Sequence, residues 1–155
     1  MEITFLSYFL ASLIAYLGLL VGIILIKMAP EEQKPGKKYF ILLEKILFLA
    51  ILALPLYYFK INIIISSVLL SFVAALMLGN KIKLNKSCLV YFLFGIFFYL
   101  GSRFIDLFVI EAVLIFLYGM PNASLTLSLK NKNYNEVLIK NLPFFVPVAA
   151  LYLIL

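Results

Sequence analysis

The chain has 155 residues, of which 66% are hydrophobic and only 13% charged, with a net charge of +6 and a mean hydropathy of +1.16. Water-soluble domains run near ~45–50% apolar and ~25% charged, so a globule this small lacks the polar residues to cover its surface in water. The absence of histidine and the single cysteine, Cys88, exclude histidine acid–base work, Ser-His triads, cysteine-rich zinc sites and any intrachain disulfide.

Lipid is the solvent that suits such a composition. The expected fold is all-α, a polytopic transmembrane helical bundle that forms one integral membrane domain over 1–155. The lysines fall in short segments between apolar runs, where membrane topology places them. The positive charge therefore predicts no nucleic-acid partner, and no cofactor motif is present.

The first run, 3–26, is too long for the apolar part of a cleavable signal, and Glu2 stands where such a signal is basic. It is expected to remain as a membrane helix. Ser7, Ala11, Ala15, Gly18 and Gly22 recur at spacings of four, four, three and four, which puts them on one face. Close backbone approach across small residues is a main source of packing energy in lipid, so this face is expected to be buried and Leu19 to lie on the opposite, lipid side. The segment "KMAPEEQKPGKK" follows. Glu31 and Glu32 suit a helix start after Pro30, Pro35-Gly36 reads as a turn, and Lys34, Lys37 and Lys38 suit contact with anionic lipid headgroups.

A second span is predicted over 39–59, with a kink at Pro55. Glu44 lies about one and a half turns into it. Lys45 beside it can snorkel, and Lys37, seven residues back, shares its face, so an ion pair is expected there. Lys60 and Asn62 mark a tight turn into a third span, 61–79. That span carries a second small-residue row, Ser67, Ser71, Ala75 and Gly79, also expected to pack against a neighbour.

The run from Cys88 to Met120 is 33 residues, too long for one crossing of a ~30 Å core. A split at Gly101-Ser102-Arg103 gives spans 86–101 and 104–120, and the positive-inside rule supports it. With six spans and the N-terminus outside, the inner loops hold Lys27, Lys34, Lys37, Lys38, Lys81, Lys83, Lys86, Lys130, Lys132 and Lys140, and the outer loops only Lys60 and Arg103. Arg103 and Asp106, three apart, suit a local salt bridge at that turn. Glu111 falls near the middle of the fifth span. An acidic side chain there costs about 2.5–3.5 kcal/mol on insertion scales, so it is expected to face protein or water or to carry a proton, with Ser66, Ser67 or Ser71 as hydrogen-bond partners.

After Met120, "SLTLSLK" alternates over Ser124–Lys130 and reads as a short strand or an interfacial stretch. "NEVLIKN" reads as interfacial helix, with Asn141 capping a short last span, 142–155, and Pro143 in its first turn. Pro147 predicts a kink in that span. Tyr57, Tyr58, Tyr99 and Tyr152 are expected at outer interfaces and Tyr39, Tyr91 and Tyr118 at inner ones. Tyr8 and Tyr16 fit neither.

This topology strings together three helical hairpins in a multi-pass protein of the cell membrane. Three functional readings stand open. The first is a non-catalytic subunit or scaffold of a membrane complex, packed against lipids and against protein partners or itself through its small-residue faces. The second is a small carrier or channel with Glu111 as a proton or cation site lined by Ser67 and Ser71. The third is a lipid-processing enzyme using Glu44 or Glu111. It ranks last because no carboxylate and base stand at a readable spacing, and enzyme activity is the less expected outcome.

Overall fold

The computed structural model describes residues 4–79, 88–127 and 134–154, and every element in it is helical. In chain order these are α1 (Phe5–Met28), a 3-10 turn (Pro30–Glu32), α2 (Gln33–Tyr58), α3 (Ile63–Leu78), α4 (Cys88–Gly101), α5 (Ile105–Thr126), α6 (Tyr134–Asn141), a second 3-10 turn (Leu142–Phe144) and α7 (Phe145–Ile154). By length and composition α1, α2, α5 and the continuous stretch Tyr134–Ile154 suffice to cross a membrane, and α3 and α4 are shorter apolar helices. The outside is apolar all round, with Leu6, Ile14, Ile24, Ile63, Ile64 and Leu153 each more than half exposed. Such a surface suits hydrocarbon. The protein is a helical membrane bundle.

Local chemistry accounts for several helix ends. Thr4 caps α1, its side chain accepting from the Ser7 amide. Lys60 takes a positive φ of 52° between α2 and α3, and Asn62 caps α3 by accepting from the Ile64 amide at 2.9 Å. α4 stops at Gly101 and the chain turns through Ser102 and Arg103, with the Phe104 amide bonded to the Gly101 carbonyl at 2.9 Å. Asp106 sits in the first turn of α5, where a carboxylate complements the unpaired amides. It makes no ion pair with Arg103 among the described residues.

Three boundaries and one cap differ from expectation. α2 begins at Gln33 rather than 39, because Pro35 and Gly36 are helical. Proline in a first turn lacks only an amide that has no partner there. α5 runs through Pro121 to Thr126, so Ser124–Thr126 is helix and not strand. Residues 128–133, which complete that alternating stretch, lie outside the described residues, as do 80–87. The last span starts at Tyr134, which removes the shortfall of 142–155. Asn141 offers no side-chain cap to the turn after it. Its Nδ2 instead donates back to the Val137 carbonyl at 2.8 Å.

The most extensive packing is not between sequence neighbours. α5 is the central helix: α1 makes the most extensive contact with it, α2 the next, and α4 pairs with α7. The three hairpins are thus a feature of chain order, while the contacts that hold the bundle link distant parts of the sequence. The α1–α5 contact is set by glycine. A Cβ at Gly18 would stand 1.9 Å from the Phe116 carbonyl oxygen, one at Gly22 2.7 Å from that of Met120, and one at Gly119 2.5 Å from the Leu19 amide. The two backbones touch. Ala15, Gly18 and Gly22 are buried, whereas Ser7 is exposed. Leu19 is at 0% exposure, contrary to the lipid-facing position expected: at 3.6 residues per turn it stands beside the Gly18 and Gly22 face, in the same buried stripe as Ser12, Ala15 and Ile23, and Leu20 is the exposed neighbour.

Tyr8 and Tyr16 find their explanation here. The Tyr8 hydroxyl donates to the Val148 carbonyl at 3.2 Å and that of Tyr16 to the Leu138 carbonyl at 2.5 Å, tying α1 to α7 and α6. A buried phenol needs such a partner. Tyr91 and Tyr118, expected at an interface, are buried at 1% and 0% exposure. With Phe94 and Phe144 they form a nest of edge-on rings, Phe94 and Tyr118 meeting at 4.7 Å and 88°.

Overpacking a close contact costs about 1–3 kcal/mol. Gly18→Ala and Gly119→Ala are each expected to lower the melting temperature in detergent. Gly36→Ala, whose Cβ meets only the edge of the Phe40 ring at 3.0 Å, is expected to leave it nearly unchanged. Equal melting of all three would show that α1 and α5 separate freely.

Candidate functional site

The inward stripe of α5 runs Leu107, Glu111, Ile115, Tyr118, Asn122, spacings of four, four, three and four. Three of these five residues are polar, and they make two separate environments.

Glu111 is wholly buried, and neither carboxyl oxygen has a hydrogen-bond partner among the described residues. The carboxyl lies against the end of α4: a Cβ at Gly101 would stand 2.2 Å from its Oε2. Gly101 thus leaves room for the carboxyl. The structure does not bring Ser66, Ser67 or Ser71 to it, since Ser67 and Ser71 are exposed on α3 and the Ser66 hydroxyl has no partner among the described residues.

Two turns further along α5, about 10 Å at the helical rise, stands the second environment. Glu44 of α2 is 4% exposed. Its Oε1 accepts from the Tyr118 hydroxyl at 3.1 Å and from Asn122 Nδ2 at 2.9 Å. These two donors, rather than Lys37, hold the carboxylate. Lys45 donates to the Met77 carbonyl at 2.8 Å, which joins α2 to the end of α3. Asn122 Oδ1 and the Tyr91 hydroxyl are buried without partners among the described residues, and the Tyr91 and Tyr118 rings lie 5.9 Å apart. Two donors from α5 therefore meet the buried Glu44 carboxyl of α2, with the Tyr91 ring of α4 beside Tyr118.

The α2 face that carries Glu44 continues toward the helix start through Phe40, Lys37 and Gln33. There a cavity of about 230 Å³ opens, lined by Gln33, Lys34, Lys37, Phe40, Ser124, Leu125 and Leu127. Gln33 Nε2 donates to the Ser124 carbonyl at 2.9 Å and also to that of Leu127. Carbonyls at the end of a helix have no partner within it, so Gln33 caps α5 from another helix. Lys38 is exposed and is not part of the lining.

Of the other residues named from sequence, Ala15, Gly18 and Gly22 stand at the α1–α5 contact. Ala75 and Gly79 are exposed, like Ser67 and Ser71, so this row on α3 is not packed within the chain as expected. Sequence reasoning missed Tyr91, Tyr118, Asn122 and Gln33. For Tyr118 and Asn122 a signal was present, the four-four-three-four stripe through Glu111. Ending the helix at Gly119-Met120-Pro121 cut it short.

No protein-family model, characterised protein or solved structure matches the chain. Among the described residues no cluster of three or more carboxylates or cysteines could hold a metal ion. Chemically, the arrangement offers two buried carboxyl groups on different helices, Glu44 held by Tyr118 and Asn122 and Glu111 without a partner among the described residues.

Leaving a buried donor unsatisfied costs about 1–3 kcal/mol, whereas removing both partners costs far less. Glu44→Leu strands the Tyr118 and Asn122 donors and is expected to destabilise by at least that amount. Glu44→Leu with Asn122→Leu is expected to recover part of the loss in a denaturation cycle. Additive losses would mean that the two side chains do not interact.

Proposed function

We propose that this chain is a non-catalytic subunit of a membrane assembly, multi-pass in the cell membrane, whose contact helix is α3 and whose partner there is a second copy. The observation that carries this reading is the contrast between two similar rows. On α1, Ala15, Gly18 and Gly22 are buried, with Gly18 and Gly22 filled by α5. On α3, Ser67, Ser71, Ala75 and Gly79 are all exposed, and α3 packs chiefly on α2.

Neither Ser67 nor Ser71 has a hydrogen-bond partner among the described residues. Lipid tails offer a hydroxyl no partner, and an unsatisfied polar group in hydrocarbon is costly. A neighbouring helix supplies both the close surface and the acceptors. Beside the row, an open groove of about 500 Å³ between α2 and α3 is lined by Leu56, Tyr57, Ser66, Ser67, Leu70 and Ser71 among others. A row that repeats every four residues is self-complementary about a twofold axis, the commonest symmetry of oligomers. In a Cys88→Ser background, Ser71→Cys is expected to cross-link two chains in native membranes. Ser67→Leu with Ser71→Leu should return the purified protein to a monomer without lowering its melting temperature. A wild type that is monomeric in lipid nanodiscs would defeat this reading.

One observation favours a second reading, a carrier or channel in which Glu111 takes up a proton or cation. An intramembrane carboxyl with no partner for either oxygen is a functional-site candidate by default. Gln keeps a donor and an acceptor, so Glu111→Gln is expected to fold with nearly native stability. Under this second reading it abolishes gradient-driven flux in proteoliposomes. Absence of flux in the wild type, or unchanged flux in the variant, removes it.

A further inference from the structure

We propose that the cavity where α2 begins and α5 ends binds a phosphate-bearing anion, supplied by the headgroup of a membrane lipid. This site is independent of the α3 face, at the opposite end of α2 from the Tyr57 and Lys60 lining of the α2–α3 groove.

Four features converge on it. Two lysines, Lys34 and Lys37, line the cavity one turn apart, and none of its described lining residues is a carboxylate. An ammonium is a compact point charge that serves phosphate well. The floor is built rather than incidental: Gln33 is pinned by its two bonds to the Ser124 and Leu127 carbonyls, which holds α2 against the end of α5. The same Gln33 leaves Oε1 buried with no partner among the described residues. That oxygen is an acceptor awaiting a donor, and a hydroxyl next to the phosphate, as in a glycerol headgroup, supplies one. Phe40, Leu125 and Leu127 complete the wall with apolar surface suited to the root of an acyl chain.

The size fits as well. About 230 Å³ falls below the ~300–1,000 Å³ of pockets that enclose drug-sized ligands. It admits a headgroup and leaves the chains outside in the bilayer.

The test uses the full chain purified in detergent, with two probes, a short-chain phosphatidylglycerol and glycerol 3-phosphate. Native mass spectrometry is expected to show saturable binding of the lipid. Lys34→Gln with Lys37→Gln should weaken it at least tenfold, and Lys34→Arg with Lys37→Arg should retain it. Lys60→Gln, at the far end of α2, should leave it unchanged. Lys34 and Lys37 are exposed, and the melting temperatures of both double variants should match the wild type. Equal binding by the Gln pair, or equal loss with Lys60→Gln, would overturn the site. Displacement of the lipid by glycerol 3-phosphate at matching concentration would overturn the lipid as the source and assign the cavity to soluble phosphate esters. A monomeric protein that still binds phosphatidylglycerol through Lys34 and Lys37 would defeat the assembly reading alone.

Discussion

The direct contact of the α1 and α5 backbones is the constraint on which the rest depends. In water, helices are driven together by expulsion of solvent from apolar faces. In hydrocarbon that drive is absent, and association rests on van der Waals contact and hydrogen bonds. Gly18, Gly22 and Gly119 bring the two backbones to a distance at which a single methyl group would collide with main-chain atoms. The same device recurs on α4, where a Cβ at Gly95 would stand 2.3 Å from the Phe144 carbonyl oxygen. Two glycine contacts thus clamp the bundle, one through α5 and one between α4 and the last span.

With α5 held in the centre, its inward stripe has no access to water, and each polar residue on it must find a partner or forgo one. Tyr118 and Asn122 find Glu44. Glu111 finds only the space left by Gly101. The difference is one of neighbours: α2 passes close enough to α5 to deliver a carboxylate, whereas the α4 residue opposite Glu111 has no side chain with which to answer. A bundle this small can bury a few polar groups only because tyrosines and main-chain carbonyls supply most of the partners. The Tyr8 and Tyr16 bonds to Val148 and Leu138 are the same economy at another contact.

The periphery contrasts with this core. α3 is anchored by the Lys45 bond to the Met77 carbonyl and by contact with α2, and its small-residue row is left open. The start of α2 is anchored by Gln33 and leaves a lysine-lined cavity. The open row and the cavity therefore both lie away from the two glycine contacts, on α3 and at the start of α2.

The sequence by itself determined the solvent, the helical class, the turns at Asn62 and at Gly101–Arg103, and the exclusion of histidine chemistry. These depend on composition, length and local chain chemistry, all of which are readable along one dimension. The tertiary structure decided which faces are inside. Leu19 and Leu20 are alike to hydropathy, yet only Leu19 is buried. The small residues of α1 and α3 recur at similar spacings, yet Gly18 and Gly22 of α1 meet α5 while Ser67, Ser71, Ala75 and Gly79 of α3 are exposed. Glu44 had Lys37 and Lys45 as neighbours in sequence, yet Tyr118 and Asn122 hold it. The physical reason is the lipid: when surroundings and interior are equally apolar, no polar–apolar stripe marks the inward face of a helix, and only the packing of distant segments can choose it.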